Sequence, residues 1–88
     1  MASYSLLVKP SVEKDLRSLP KSVIKRVWAK IDALADDPTP GHSVKLAAAE
    51  SLHRIRVGDY RVIYGVDHPS KQVIVYYVRH RKDAHHTL

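Results

Sequence analysis

The dipeptide Gly58-Asp59 separates two stretches of β-type sequence, Leu52 to Val57 (LHRIRV) and Tyr60 to Val66 (YRVIYGV), and a two-residue connection between such stretches makes a tight hairpin. Glycine at the first turn position suits a type II′ turn, which fixes the pairing: Val57 opposite Tyr60, Arg56 opposite Arg61, Ile55 opposite Val62 and Arg54 opposite Ile63. Side chains alternate across a strand, so Arg54, Arg56 and Arg61 share one face of the sheet. Ile55, Val57, Tyr60, Val62, Tyr64 and Val66 line the other, an apolar surface that needs helices to cover it.

The segments upstream supply them. Ser3 to Val8 (SYSLLV) reads as a strand closed by Lys9-Pro10, because proline cannot donate to a ladder. Pro10 suits the first turn of a short helix carrying Val12, Leu16 and Leu19 at helical spacing up to Pro20. Ile24, Val27, Trp28, Ile31, Leu34 and Ala35 then recur at steps of three and four, which predicts a longer helix over 20–35 with Trp28 on its buried stripe. Asp36-Asp37-Pro38-Thr39-Pro40-Gly41 ends it, and a loop follows. Val73 to Arg79 (VIVYYVR) is the third strand of an antiparallel meander. The connection Asp67 to Lys71 fits more than one register, which leaves open the face that Arg79 and Arg81 join. Tyr76 and Tyr77 are adjacent and point to opposite faces, so that one is buried and its neighbour is free to stack on a base. The pattern predicts a single α+β domain over 1–88: an N-terminal strand and a two-helix hairpin packed on an antiparallel β-meander.

Fifteen Lys and Arg against nine Asp and Glu give a formal charge of +6, an excess that favours a polyanionic partner, nucleic acid first. Cysteine is absent, which removes disulfides and thiolate zinc sites. Charges at Lys9, Glu13, Lys14 and Asp15 come too early for a secretory signal, and no apolar run approaches the ~18 residues of a membrane span. A cytoplasmic location is expected. Gly41, Gly58 and Gly65 are scattered and form neither a P-loop nor a dinucleotide fingerprint, so no nucleotide cofactor is expected.

Three guanidinium groups on one sheet face suit phosphate, because each planar fork donates two parallel hydrogen bonds and a cluster stabilises charge building on phosphoryl oxygens. His42, His53, His68, His80, His85 and His86 match no metal-ligand spacing, and no metal is expected. They read as surface imidazoles, with one distinction: His85 and His86 lie within a few residues of Arg81, where a neutral imidazole can accept a proton near neutral pH.

The segment from Leu52 to Tyr64, followed by Val78-Arg79-His80-Arg81-Lys82-Asp83-Ala84-His85, resembles the RelE/ParE superfamily of bacterial toxins. The resemblance extends over nearly the whole chain, through the strand, the two helices, the Pro-rich loop with Lys45-Leu46 and the meander. It implies a toxin neutralised by a cognate, acidic, RelB-like antitoxin. The RelE branch comprises endoribonucleases that cut messenger RNA in the ribosomal A site, and ParE relatives share the fold but act on DNA gyrase. On the RelE pattern, Arg54 and Arg56 match two basic positions, Arg61 the strand arginine and Arg81 the arginine near the end. The family's C-terminal tyrosine falls at or near His85. The resemblance implies attack by a ribose 2′-OH on its own 3′ phosphate without metal, with Arg61 and Arg81 stabilising that phosphate, Arg54 and Arg56 orienting it and His85 moving a proton. Lys45, Arg79 and Lys82 would contact neighbouring phosphates. Two other readings are a gyrase inhibitor without nuclease activity and a non-catalytic basic binding module.

Overall fold

A computed structural model of the chain describes residues 3–41, 43–45 and 52–80. Its elements run β1 (Ser5–Val8), α1 (Pro10–Leu16), α2 (Lys21–Ala33), β2 (Val44–Lys45), β3 (Leu52–Val57), β4 (Tyr60–Asp67) and β5 (Gln72–His80). The β3–β4 hairpin forms with the register the turn dictates: Val57 faces Tyr60, Arg56 faces Arg61, Ile55 faces Val62 and Arg54 faces Ile63. Gly58 has φ of +58° and Asp59 does not share that left-handed region, as a type II′ turn requires.

The sheet has the order β1-β5-β4-β3-β2. β3, β4 and β5 form the antiparallel meander, whereas β1 lies parallel to β5 and makes the sheet mixed. β2 falls in the stretch read from sequence as loop. Its two residues pair with Arg54 and His53, and a strand so short carries no periodic signal. β5 faces β4 with Val78 opposite Val62, but a bulge at Ile63/Tyr64 then brings Val75 opposite Tyr64. Tyr76 is the extra residue of that bulge, so the simple alternation expected of Tyr76 and Tyr77 does not hold there, and both are half-buried.

Both helices pack on the face predicted to be apolar. Val12 and Leu16 of α1 and Val27 and Ile31 of α2 cluster with Ile55, Val57, Val62, Tyr64, Val66, Val73, Val75 and Val78. Each side chain of this size, fully buried, contributes about 1.5–3 kcal/mol. Trp28 and Tyr60 pack at the margin of the cluster, half-buried. α1 stops at Leu16, short of Leu19, because Pro20 disfavours helical geometry just before it. Leu19 still packs against the core. α2 closes in a tightened turn in which the Leu34 N–H donates to Ile31. Ala35 then accepts from the N–H groups of Ser3 and Tyr4, which ties the end of α2 to the start of β1.

The Pro-rich segment after α2 is anchored from below. The buried Tyr64 hydroxyl donates to the Pro38 carbonyl at 2.8 Å, and burial raises its pKa above the ordinary 10.0, so the ring stays a neutral donor.

Replacing Gly58 by alanine places a Cβ 3.3 Å from the Arg26 guanidinium at a φ that L side chains rarely adopt. Arg26 is flexible and can yield, but the backbone cannot. Gly58→Ala should cost about 1–2 kcal/mol, read as a lower denaturation midpoint at unchanged denaturant slope.

Candidate nucleic-acid interface

The face of the sheet turned away from the helices is organised in rungs. Combining the strand registers, the rung nearest the tight turn holds Arg56, Arg61 and Arg79 side by side on β3, β4 and β5. The next holds Val44, Arg54, Ile63 and Tyr77, and the third Leu52, Gly65, Ile74 and Leu7. Rungs are about 7 Å apart along the strand and neighbouring strands about 4.8 Å apart across it. The face therefore grades from cationic at one end to apolar at the other, where Leu7 is 43% exposed.

This brings Arg54, Arg56 and Arg61 together as the sequence predicts. Like charges placed directly opposite destabilise a sheet, and here Arg56 faces Arg61 with no residue between them. Arg56 turns its Nε–H onto the Gly58 carbonyl at 3.0 Å, which holds its stem over the turn. Ile63, flanked in register by Arg54 and Tyr77, is only 1% exposed. Beside it lies a groove of about 680 Å³ between Lys9, Pro10 and Ser11 at the start of α1 and Leu52, Ile63, Tyr76 and Tyr77 of the sheet.

Two of the other predicted cations differ from these three, Lys45 in its face and Arg79 in its partners. Lys45 pairs with His53 and so lies on the opposite face from the three arginines. Arg79 is on their face, which settles the register question left open by the second hairpin, but its guanidinium is engaged. It donates to the Asp15 carboxylate at 2.6 Å and to the Val78 carbonyl at 3.1 Å, and lies 4.5 Å from the centre of the Tyr77 ring. Arg81, Lys82 and His85 fall outside the described residues, as does His86.

The sequence reading missed two residues that shape this end of the sheet. Asp15 accepts from the Val78 N–H at 3.0 Å as well as from Arg79. His53, expected at the surface, is buried at 9% exposure and stacks on Tyr64 with ring centres 5.5 Å apart. Its parity in β3, shared with Ile55 and Val57, was the available signal. Of the remaining histidines, His68 is hydrogen-bonded through Nδ1 to the Tyr4 hydroxyl at 2.7 Å, and His80 meets Tyr60 edge-on. Among the described residues no three His, Asp or Glu side chains group to hold a metal ion, and no helix is long and apolar enough to cross a membrane.

Burial lowers the His53 pKa from its ordinary 6.5, with Lys45 and His68 adding to the effect. The unfolded chain therefore takes up a proton at this site before the folded one does. Stability from His53 is complete above pH 6.5 and drains as pH falls toward the lowered folded value. Chemical denaturation between pH 7.5 and 5 should show wild type losing more stability than His53→Gln.

Comparison with known proteins gives one consistent picture. Residues 6–85 match the family described as "ParE toxin of type II toxin-antitoxin system, parDE". The chain is similar to the RelE of an archaeal RelE–RelB complex from Pyrococcus horikoshii, with 33% identity, a TM-score of 0.81, and coverage of 90% of this chain and 96% of the other. A chain of the RelB–RelE antitoxin–toxin complex of Methanococcus jannaschii is 25% identical with a TM-score of 0.76, over 93% and 98% of the two chains. RelE1 of Methanocaldococcus jannaschii is 27% identical over 85 residues, 93% of this chain and 94% of its own.

Proposed function

The chain belongs to the RelE/ParE toxin superfamily and is a toxin of a type II toxin–antitoxin system, and from that premise we propose that it is a metal-independent endoribonuclease cleaving messenger RNA on the ribosome. The observation that carries this reading is the placement of Arg54, Arg56 and Arg61 together on the sheet face opposite the one against which the helices' apolar residues cluster. In the proposed reaction the ribose 2′-OH attacks its adjacent phosphorus and the bond to the 5′ oxygen breaks, leaving a 2′,3′-cyclic phosphate and a 5′-hydroxyl. Arg61 and Arg81 bind the non-bridging oxygens and stabilise the charge that builds there. Arg54 and Arg56 orient the strand. His85 takes the 2′-OH proton and returns one to the leaving oxygen. Lys82 is a further phosphate contact, and Lys45 touches RNA only where the strand passes to the other face.

Arginine stays protonated throughout, so the described cluster binds charge and moves none. A site with so little acid–base capacity is slow on a freely moving strand, and a ribosome that pre-aligns the 2′-OH supplies what it lacks. The partner proposed for the resting state is a RelB-like antitoxin, since the P. horikoshii and M. jannaschii relatives are RelE chains in complex with RelB. With a charge of +6 on the toxin, an acidic segment fits it best. A second reading, inhibition of DNA gyrase, has one observation in its favour: the matching family is described by its ParE members.

The test maps new 5′ ends on one message, naked and on stalled ribosomes. Cleavage confined to the ribosomal A site is expected for wild type, with Arg61→Ala slower by about 10²–10³-fold. His85→Ala should be slowed by about 10²-fold or more, with the pH dependence of the rate flattened. Absence of cleavage together with inhibition of gyrase supercoiling would favour the second reading.

A further inference from the structure

β1 pairs with only Gln72 to Val75 of β5, so among the described residues no strand lies beside the outer edge of β5 beyond that point. The segment from Lys9 into α1 takes the place of a strand there, first with a backbone N–H and then with side chains. The Lys9 N–H donates to the Val75 carbonyl, the Ser11 hydroxyl donates to the Tyr76 carbonyl, and Asp15 accepts from the Val78 N–H at 3.0 Å. Ser11 and Asp15 are four residues apart, one helical turn, and so occupy the same side of α1.

Asp15 does a second thing with the same oxygen. The atom that accepts from Val78 also receives Arg79 Nη1 at 2.6 Å. Arg79 is opposite Arg61 in the register, yet its guanidinium bends to the outer edge of β5, over the Tyr77 ring and back to the Val78 carbonyl. Arg61 lies on the other side of β5, on β4. The ion pair is half-buried, with 29% and 21% of the two side chains exposed, and it is braced by backbone and ring contacts that an isolated surface pair lacks.

We propose that Asp15 is a positioning residue that holds the outer edge of β5 and keeps Arg79 out of the anion site, leaving Arg54, Arg56 and Arg61 as the phosphate-facing set of this part of the sheet. The inference deepens the ribonuclease reading and rests on it for the phosphate half. It reverses the role that the sequence alone suggested for Arg79. An arginine in the same cross-strand rung as Arg61 would otherwise add a third like charge there, and Asp15 neutralises it while orienting it away.

Two measurements test the two halves. Binding of a short single-stranded RNA oligonucleotide is followed against salt, where each phosphate contact adds about 0.7 to the slope of log K against log salt. Asp15→Asn keeps an acceptor for Val78 but loses the charge, and should steepen the slope by about 0.7. Arg79→Gln alone should leave the wild-type slope, and the double variant should return to it. A flatter slope for Arg79→Gln, or no steepening for Asp15→Asn, overturns the proposal. An unchanged slope for Arg61→Gln would instead sink the RNA reading of the face. The positioning half is read without RNA, by hydrogen exchange at the Val78 amide. Protection should match wild type in Asp15→Asn and fall by about tenfold in Asp15→Ala, and equal protection in all three would overturn it.

Discussion

The parity of the sheet is set at Gly58-Asp59, and everything that can be said of either face depends on it. A pairing slipped by one residue would turn Arg54 and Arg56 toward Val27 and Ile31 and put Ile55 and Val57 into water, or do the same to Arg61 and Val62 if β4 were the strand that turned. Burying unpaired guanidinium groups costs several kcal/mol each, and exposing the valines and isoleucine forfeits about 1.5–3 kcal/mol apiece. The turn and the core thus select the same register independently. That agreement lets a mutually repelling set of cations be held on one surface, since no small movement of the strands relieves the repulsion without a larger loss on the other side.

The edges of the sheet are managed by different means. On the β2 side the strand is two residues long and carries Lys45, a short and charged edge that offers little to another strand. On the β5 side the chain ends β1 early at Pro10, and α1 then presents Ser11 and Asp15 to the exposed backbone. Proline has two consequences here. It stops the strand because it lacks an N–H, and it starts the helix because that N–H is not needed in a first turn. One residue therefore places both a strand end and the side chains that substitute for the strand.

This explains which parts were legible in the sequence. The β3–β4 register, the existence of the two helices and the shared face of Arg54, Arg56 and Arg61 follow from local rules, a turn type and two periodicities, and all appear, with both helices shorter than read. The parallel pairing of β1, the two-residue β2 and the bulge at Tyr76 do not, because they arise between segments far apart in the chain. Asp15 belongs to the second class. It looked like an ordinary acid on a short helix, and only the mismatch in length between β1 and β5 gives it backbone to hold. His53 belongs to the first class. It shares the inward parity of Ile55, so its burial was readable, but its polarity outweighed its position in the reading.

The chemistry of the face follows from what the arginines lack. Guanidinium groups bind phosphate oxygens well but do not exchange protons, so in the proposed reaction the described cluster would serve recognition and charge stabilisation, and proton transfer would fall to another group. Arg56 stands directly opposite Arg61, an arrangement of like charges that taken by itself costs a sheet on the order of 0.2–1 kcal/mol. On the proposed function, a bound phosphate would offset that repulsion and stabilise the folded protein. The Arg79–Asp15 pair puts an acid beside the third arginine of that rung, and in the proposed arrangement this comes at the expense of one phosphate contact. The apolar rung of Leu7, Ile74 and Leu52 at the other end of the face carries none of that repulsion.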